Sequence, residues 1–377
     1  MPLILRLASR NLFQDRPRFA GNIIGIAISI ILVTVQMGLL LGFARMITTM
    51  IQHASADLWI VSQAANSFED AALIDEYQRF RALSVGGVME AVPVVTGFAQ
   101  WSVPTGTKTP VFIVGSGAGT AGLRPWNLIE GDVRALSVPD AVAVDRSYSD
   151  RLGTVSYGAH VEIGGQRGRI LAVTDGIRSF TTTPYLFTSL DRARNYTGIP
   201  PGKASFLLVR LSPAADRNAV KAQLRAKLSD VDVLTPDEFS RRSRSFWLFG
   251  TGAGAALFAG ALLASLAGTV IVAQTLYAST KDHLDEFATL RAIGASASYL
   301  RMVIALQAVI SAVIGFLVAL AISTGVAKMT ANAALPVVMT PGLTFGLFAL
   351  TVIMCVVSGF SSIIKVMRVD PVTVFAQ

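Results

Sequence analysis

Between Ser279 and Ala295 the chain reads Ser-Thr-Lys-Asp-His-Leu-Asp-Glu-Phe-Ala-Thr-Leu-Arg-Ala-Ile-Gly-Ala. Leu284, Phe287 and Leu290 recur every three residues with acids and bases around them, the pattern of a short helix with one apolar stripe and a charged rim. The chemistry open to such a segment is recognition rather than catalysis. A stripe of this kind docks into a groove on a partner or lies along a lipid surface, and its physics alone leaves both open.

Reactive chemistry is hard to find elsewhere. The three histidines, His53, His160 and His283, stand apart from any cysteine or carboxylate at metal-ligand spacing, so no metal site is expected. There is no Gly-x-Ser-x-Gly elbow to expose a nucleophilic serine. Gly115-Ser116-Gly117-Ala118-Gly119 has the glycines of a phosphate loop but not its Gly-Lys-Ser/Thr ending, and reads as a turn. The one cysteine, Cys355, sits in an apolar run and has no partner for an internal disulfide.

The elements that must position the Ser279–Ala295 segment are apolar. Hydrophobic residues make up 52% of the chain and charged residues 15%, a composition suited to a bilayer. Four runs lack Asp, Glu, Lys and Arg: Phe19 to Ala44, Phe246 to Leu276, Met302 to Ala327 and Leu343 to Ile364. A hydrocarbon core about 30 Å thick needs about 20 helical residues, so all four qualify as spans. The first is too long for a secretion signal, and Arg45 follows it without a small-x-small cleavage pattern.

The expected organisation is a basic N-terminal segment (1–18), a first span (19–44), a large polar domain (45–245), a second span (246–277), a cytoplasmic connection (278–301), a third span (302–327), a short loop (328–342), a fourth span (343–364) and a tail (365–377). Arg6, Arg10, Arg16 and Arg18, then Lys281, Arg291 and Arg301, then Lys365 and Arg368 all fall on one side. The positive-inside rule favours that side and both termini in the cytoplasm, with the large domain outside, against which stand Arg45, Arg241, Arg242 and Arg244 at the membrane ends of that domain. The net charge of +8 does not indicate nucleic acid: between Arg45 and Arg244 there are 22 basic and 19 acidic residues, a balance of only +3, with no dense Lys/Arg run interleaved with aromatics. The excess suits contact with lipid headgroups.

The large domain reads as mixed α/β. Strands are expected at Asp57 to Ser62, Val111 to Val114, His160 to Ile163, Arg167 to Val173, Ser205 to Leu211 and Val231 to Leu234, and a helix at Ala72 to Ala82. Gly164-Gly165 suits a tight hairpin between two of the strands. Val220, Leu224 and Leu228 mark one face of an amphipathic helix.

Thr235-Pro236-Asp237-Glu238 is a helix-start signature, with Thr235 as cap and Glu238 reaching back to it. A single helix from Thr235 to about Tyr277 is on the order of 64 Å long, about twice the hydrocarbon thickness. It and the continuation of the first span toward His53 are expected to form stalks, the alternative being a break at the interface. Gly250, Gly254 and Gly260 are small enough to let membrane helices pack closely, with Gly250 and Gly254 as candidate dimer contacts.

The run Glu286 to Ala295 closely resembles the loop after the second transmembrane helix in the FtsX/MacB-like family of ABC transporter permeases. Arg10-Asn11-Leu12 and Arg368-Val369-Asp370-Pro371 resemble the family's flanking patterns, and the arrangement of one span, a large domain and three spans is similar throughout. Ala56-Asp57-Leu58-Trp59, Ala143-Val144-Asp145 and Gly176-Ile177-Arg178-Ser179-Phe180 resemble the outer domain of DevC-type members.

The resemblance implies a non-catalytic, inner-membrane permease subunit that works as a dimer. Its cytoplasmic loop docks on a separate ATP-hydrolysing subunit, which holds the ATP and magnesium; no cofactor is expected on this chain. Glu286, Phe287, Leu290, Arg291 and Gly294 are then the candidate ATPase contacts. The resemblance further implies export by mechanotransmission, in which helix motion is conveyed to the outer domain, with a periplasmic adaptor and an outer-membrane channel. The alternative within the family is an FtsX-like signalling subunit that controls a cell-wall hydrolase.

Overall fold

A computed structural model describes residues 16–103, 106–153, 155–282, 289, 293–331, 333 and 335–366. The chain divides into two compact units, one formed by Phe43–Gly254 and the other by the sequence on either side of it.

The flanking unit is helical: α1 (Arg16–Met46), which continues into the central unit, and then, after the domain, α8 (Gly252–Asp282), α9 (Ala297–Thr330) and α10 (Pro341–Val366). Among the described residues three stretches are long and apolar enough to cross a bilayer, namely Phe19–Met46, Gly252–Thr275 and Ser298–Thr330. The described apolar part of α10, Pro341–Val357, is shorter. Ile26, Ile30, Val272, Ala312, Phe316, Leu347 and Cys355 form the shared core of these helices. Close approach depends on small residues: a Cβ at Gly315 would lie 2.6 Å from Ile26, and one at Gly260 2.3 Å from the Gln36 amide. That amide is in turn 3.4 Å from the Leu257 carbonyl, so the polar interruption of the first span bonds a neighbouring helix.

The central unit is built on a ten-stranded mixed sheet. Its strands are β1 (Leu58–Ser62), β3 (Val88–Ser102), β4 (Lys108–Ser116), β5 (Leu128–Gly131), β6 (Ala141–Asp145), β7 (His160–Ile163), β8 (Gln166–Thr174), β9 (Tyr185–Ser189), β11 (Phe206–Leu211) and β12 (Val231–Leu234), in the order 12-1-11-3-4-9-6-8-5 with β7 against β3 and β8. β2 (Ile74–Asp75) and β10 (Lys203–Ala204) pair separately. The short helices are α2 (Thr49–His53), α3 (Gln78–Leu83), α4 (Ser149–Leu152), α5 (Leu190–Thr197), α6 (Arg217–Lys227) and α7 (Pro236–Ser245).

Successive side chains of a strand leave by opposite faces, and here both faces are buried. Trp59 and Val61 of β1, Phe206 and Leu208 of β11, and Phe112 and Val114 of β4 enter one common core. Their neighbours Leu58, Ile60, Leu207 and Val209 pack with Val220 and Leu224 of α6. Val111 and Ile113 pack with Ala193 and Tyr196 of α5.

Most expected strands are present, and Gly164 and Gly165 turn the β7–β8 hairpin at φ +57° and +75°. Two expectations change. The helix placed at Ala72 to Ala82 is instead β2 followed by α3, because Asp75 and Ile74 pair with Lys203 and Ala204. The single helix from Thr235 is interrupted: α7 passes into a π-helical turn, Phe246–Gly250, and Thr251 is extended (φ −120°, ψ 152°) before α8 begins. Glycines at 250, 252 and 254 weaken helix formation at that point.

Candidate functional site

The approach to the second membrane helix is tied firmly to the domain. Thr235 Oγ1 accepts from the Glu238 N–H at 3.2 Å, and the Glu238 carboxylate accepts from the Thr235 N–H at 2.8 Å, a complete capping box. Lys221 Nζ on α6 donates to the same carboxylate at 2.5 Å. Burial pushes that carboxyl upward, but the bonds from Lys221 and Thr235 outweigh it and hold it below the ordinary glutamate value. One residue on, Phe239 is fully buried with its ring 5.1 Å from Trp59 and 5.6 Å from Phe206. Arg242 closes the attachment with a 2.6 Å ion pair to Asp232 on β12.

The interruption after α7 has its own internal logic. Thr251 Oγ1 donates to the Trp247 carbonyl at 2.7 Å and accepts from the Gly254 N–H at 3.4 Å. A Cβ on Gly254 would lie 2.1 Å from the Trp247 carbonyl oxygen, so glycine there lets the chain pack on its own preceding turn. Gly250 stands 3.3 Å in the same sense from the Phe246 ring. Both glycines thus have work within their own chain.

The π turn presents Trp247 to Phe180. Their rings meet edge to face with centroids 4.8 Å apart, and Phe180 also meets Phe43, near the end of α1, edge to face at 5.4 Å. One side chain therefore touches both segments through which the domain joins the membrane helices.

Phe180 ends a loop held by a buried carboxylate. Asp145, at the end of β6, accepts from the Ile177 N–H (2.7 Å), the Gly176 N–H (3.2 Å), the Ser147 N–H (2.9 Å) and the Thr174 hydroxyl (2.8 Å). Gly176 adopts φ +93°, which favours glycine. The Tyr148 hydroxyl accepts from the Ser179 N–H at 2.8 Å. The segments Ala143–Asp145 and Gly176–Phe180, 31 residues apart, thus form one structure.

A second buried carboxyl lies against the same joint, and sequence reasoning missed it. Glu69 accepts from the Tyr185 hydroxyl at 2.8 Å, while its Oε2 is enclosed without a hydrogen bond of normal geometry. Trp247 Nε1 is enclosed in the same way, and its N–H interacts with the Glu69 carboxylate. Burial, opposed by these polar contacts, raises the Glu69 carboxyl to about 7. Tyr185 is pushed well above its ordinary value by burial and by Glu69. The only signal in the sequence was an acid beside Phe68 in a turn, because its partner is 116 residues away.

Of the expected ATPase contacts, Glu286, Phe287, Leu290 and Arg291 lie outside the described residues. Gly294 is described: the Ile293 N–H bonds the Thr289 carbonyl at 3.1 Å and Gly294 follows at φ +102°, as a glycine that ends a helical turn. Ser296 then caps α9 by accepting from the Tyr299 N–H at 3.2 Å. Among the described residues no group of three His, Cys, Asp or Glu side chains could hold a metal ion.

These features define a multi-pass membrane protein with a large domain inserted after its first helix. Residues 19–227 match the MacB-like periplasmic core domain and residues 258–371 the FtsX-like permease C-terminal domain; the chain belongs to the FtsX/MacB-like family of ABC transporter permeases. That family is one of type VII permease subunits which imply an ABC ATPase partner, and it fits an inner-membrane location.

Among solved structures, the periplasmic region of MacB from Actinobacillus actinomycetemcomitans is 10% identical, with a TM-score of 0.37, over 51% of this chain and 95% of its own. The extracellular domain of the noncanonic ABC-type transporter YknZ from Gram-positive bacteria is 13% identical, with a TM-score of 0.34, over 47% of this chain and 99% of its own. No curated protein matches the sequence.

Proposed function

We propose that this chain is the permease subunit of an ABC exporter that converts ATP hydrolysis on a separate subunit into motion of its outer domain. Both termini are cytoplasmic, α10 completes a fourth span, and the segment around Glu286–Gly294 receives the ATPase. A homodimer, a periplasmic adaptor and an outer-membrane channel complete the assembly, in the manner of DevC-type permeases.

The observation that supports this most is the Phe43–Phe180–Trp247 contact. A domain that merely hung from the membrane has no need for one anchored ring against both of its membrane-side segments. A domain that must follow helix movement does. The exposed apolar face of α8, with Leu262, Leu263 and Leu266 each at least 60% exposed, is the surface offered to the second permease copy or to lipid.

The assignment is tested by co-purification of the ATPase. Phe287→Asp is expected to release it while the permease remains folded; retention of the ATPase with unchanged stimulated hydrolysis contradicts the docking role. Crosslinking from the outer domain is expected to capture an adaptor. Capture of a cell-wall hydrolase in its place overturns the export reading.

A further inference from the structure

One cleft in the central unit has no part in the joint described above. It measures about 600 Å³, within the range that holds a small organic ligand, and is lined by β3, β4, β9, the start of α5 and the turn at Ser116–Gly119. This is the glycine-rich segment that resembles a phosphate loop without its ending.

The lining has two characters. Pro93, Leu136 and Phe187 supply apolar surface, while Arg79, Arg124 and Arg134 supply positive charge. Arg134 makes no side-chain ion pair or hydrogen bond among the described residues. Arg124 reaches only the Gly119 carbonyl, leaving its charge unneutralised. Arg79 has a 3.4 Å contact with Glu76, but its Nε is enclosed and without a partner.

Opposing charge is slight. Asp191 is the one acid in the lining, largely exposed and already paired with Arg194 at 3.3 Å. Glu90, beside the turn, has its carboxylate taken up by the Thr120 and Ala121 N–H groups and the Thr120 hydroxyl. Arg124 and Arg134 therefore face an apolar floor with no carboxylate paired to them, and Arg79, ion-paired with Glu76, stands beside them.

We infer that this cleft binds an anionic amphiphile, its phosphate or carboxylate held by Arg79, Arg124 and Arg134 and its apolar body laid against Pro93, Leu136 and Phe187. The shared chemistry serves an acidic lipid headgroup with part of its chain or a free amphipathic acid. The inference rests on the central unit alone, so it stands or falls separately from the ATPase assignment.

The test is equilibrium binding of 1-naphthyl phosphate to the full chain in zwitterionic lipid nanodiscs, with 1-naphthol and inorganic phosphate as the uncharged and the polar controls. Saturable binding of the phosphate ester, tighter than either control, is expected. Arg134→Glu and Arg124→Glu are each expected to weaken it about tenfold, the scale of one charge-assisted hydrogen bond. Both positions are exposed, so the fold is retained. Asp191→Asn is expected to tighten it. Absence of saturation, equal binding of naphthol, or indifference to both arginine reversals overturns the proposal. Nanodiscs containing phosphatidylglycerol distinguish the sources: competition assigns the site to a lipid headgroup, and its absence to a soluble amphiphile.

Discussion

The Phe180 and Trp247 rings meet edge to face at 4.8 Å, and the Phe180 ring also meets Phe43 edge to face at 5.4 Å. Edge-to-face pairs add about 0.5–1.5 kcal/mol beyond their buried area, and truncating a buried phenylalanine costs about 3–5 kcal/mol. Phe180→Ala is therefore expected to loosen the membrane side of the domain without dissolving its sheet. Transport by the assembled complex should fall by at least tenfold while ATPase co-purification is unchanged; transport at the wild-type rate argues against a transmission role for this ring.

Asp145 holds the loop from which Phe180 projects. Asp145→Asn preserves shape but replaces one acceptor oxygen with a donor that faces N–H groups, and a buried unsatisfied bond costs about 1–3 kcal/mol, more when the group removed is charged. A lower thermal midpoint for the purified protein and faster proteolysis at Gly176–Phe180 are expected. Wild-type resistance at that loop contradicts the anchoring role.

Glu69 gives the joint a pH dependence of definite sign. Its folded value of about 7 lies above the ordinary 4.5, so the stability it contributes is complete below about pH 4.5 and is lost as pH rises through 7. The difference is on the order of 3 kcal/mol at full effect. Unfolding of the wild type compared with Glu69→Gln should show the variant gaining stability relative to the wild type between pH 5 and 8. Parallel pH profiles exclude a raised carboxyl at this position.

The capping box at Thr235 separates two contributions. Thr235→Ala removes the cap alone and is expected to cost about 1 kcal/mol. Glu238→Ala also leaves the largely buried Lys221 ammonium without its carboxylate, so the second variant should lose more stability than the first and unfold at lower denaturant concentration. Equal effects would mean that the Lys221 contact contributes nothing.

The local features of this fold are legible in its sequence. The capping box lies within four residues, and the Gly164-Gly165 hairpin declares itself by the residues it needs. Alternation in β1 and β11 does not appear as polar and apolar steps, because both faces of those strands are buried and the strands read as continuous apolar runs. β3 is harder still: it runs from Val88 to Ser102 through Pro93 and Gly97, residues that ordinarily argue against a central strand.

The joint is illegible for a different reason. Ala143–Asp145 and Gly176–Phe180 are recognisable as family-like segments, yet nothing local says that the Asp145 carboxylate binds the second through its backbone. Glu69 needs Tyr185 and Trp247, both distant in sequence, before its burial has meaning. The break at Thr251 was foreshadowed only by the glycines around it, which serve equally for helix packing.

The most direct test of transmission is a distance measurement in the assembled permease–ATPase complex. In a Cys355→Ser background, fluorophores at Tyr157→Cys in the central unit and Met329→Cys on α9, both exposed, report on the two units. ATP is expected to shift the transfer efficiency between them, and Phe180→Ala with Trp247→Ala to abolish that shift while the ATPase stays bound. An ATP response that is absent from the native joint, or that persists undiminished without these two rings, contradicts the mechanism.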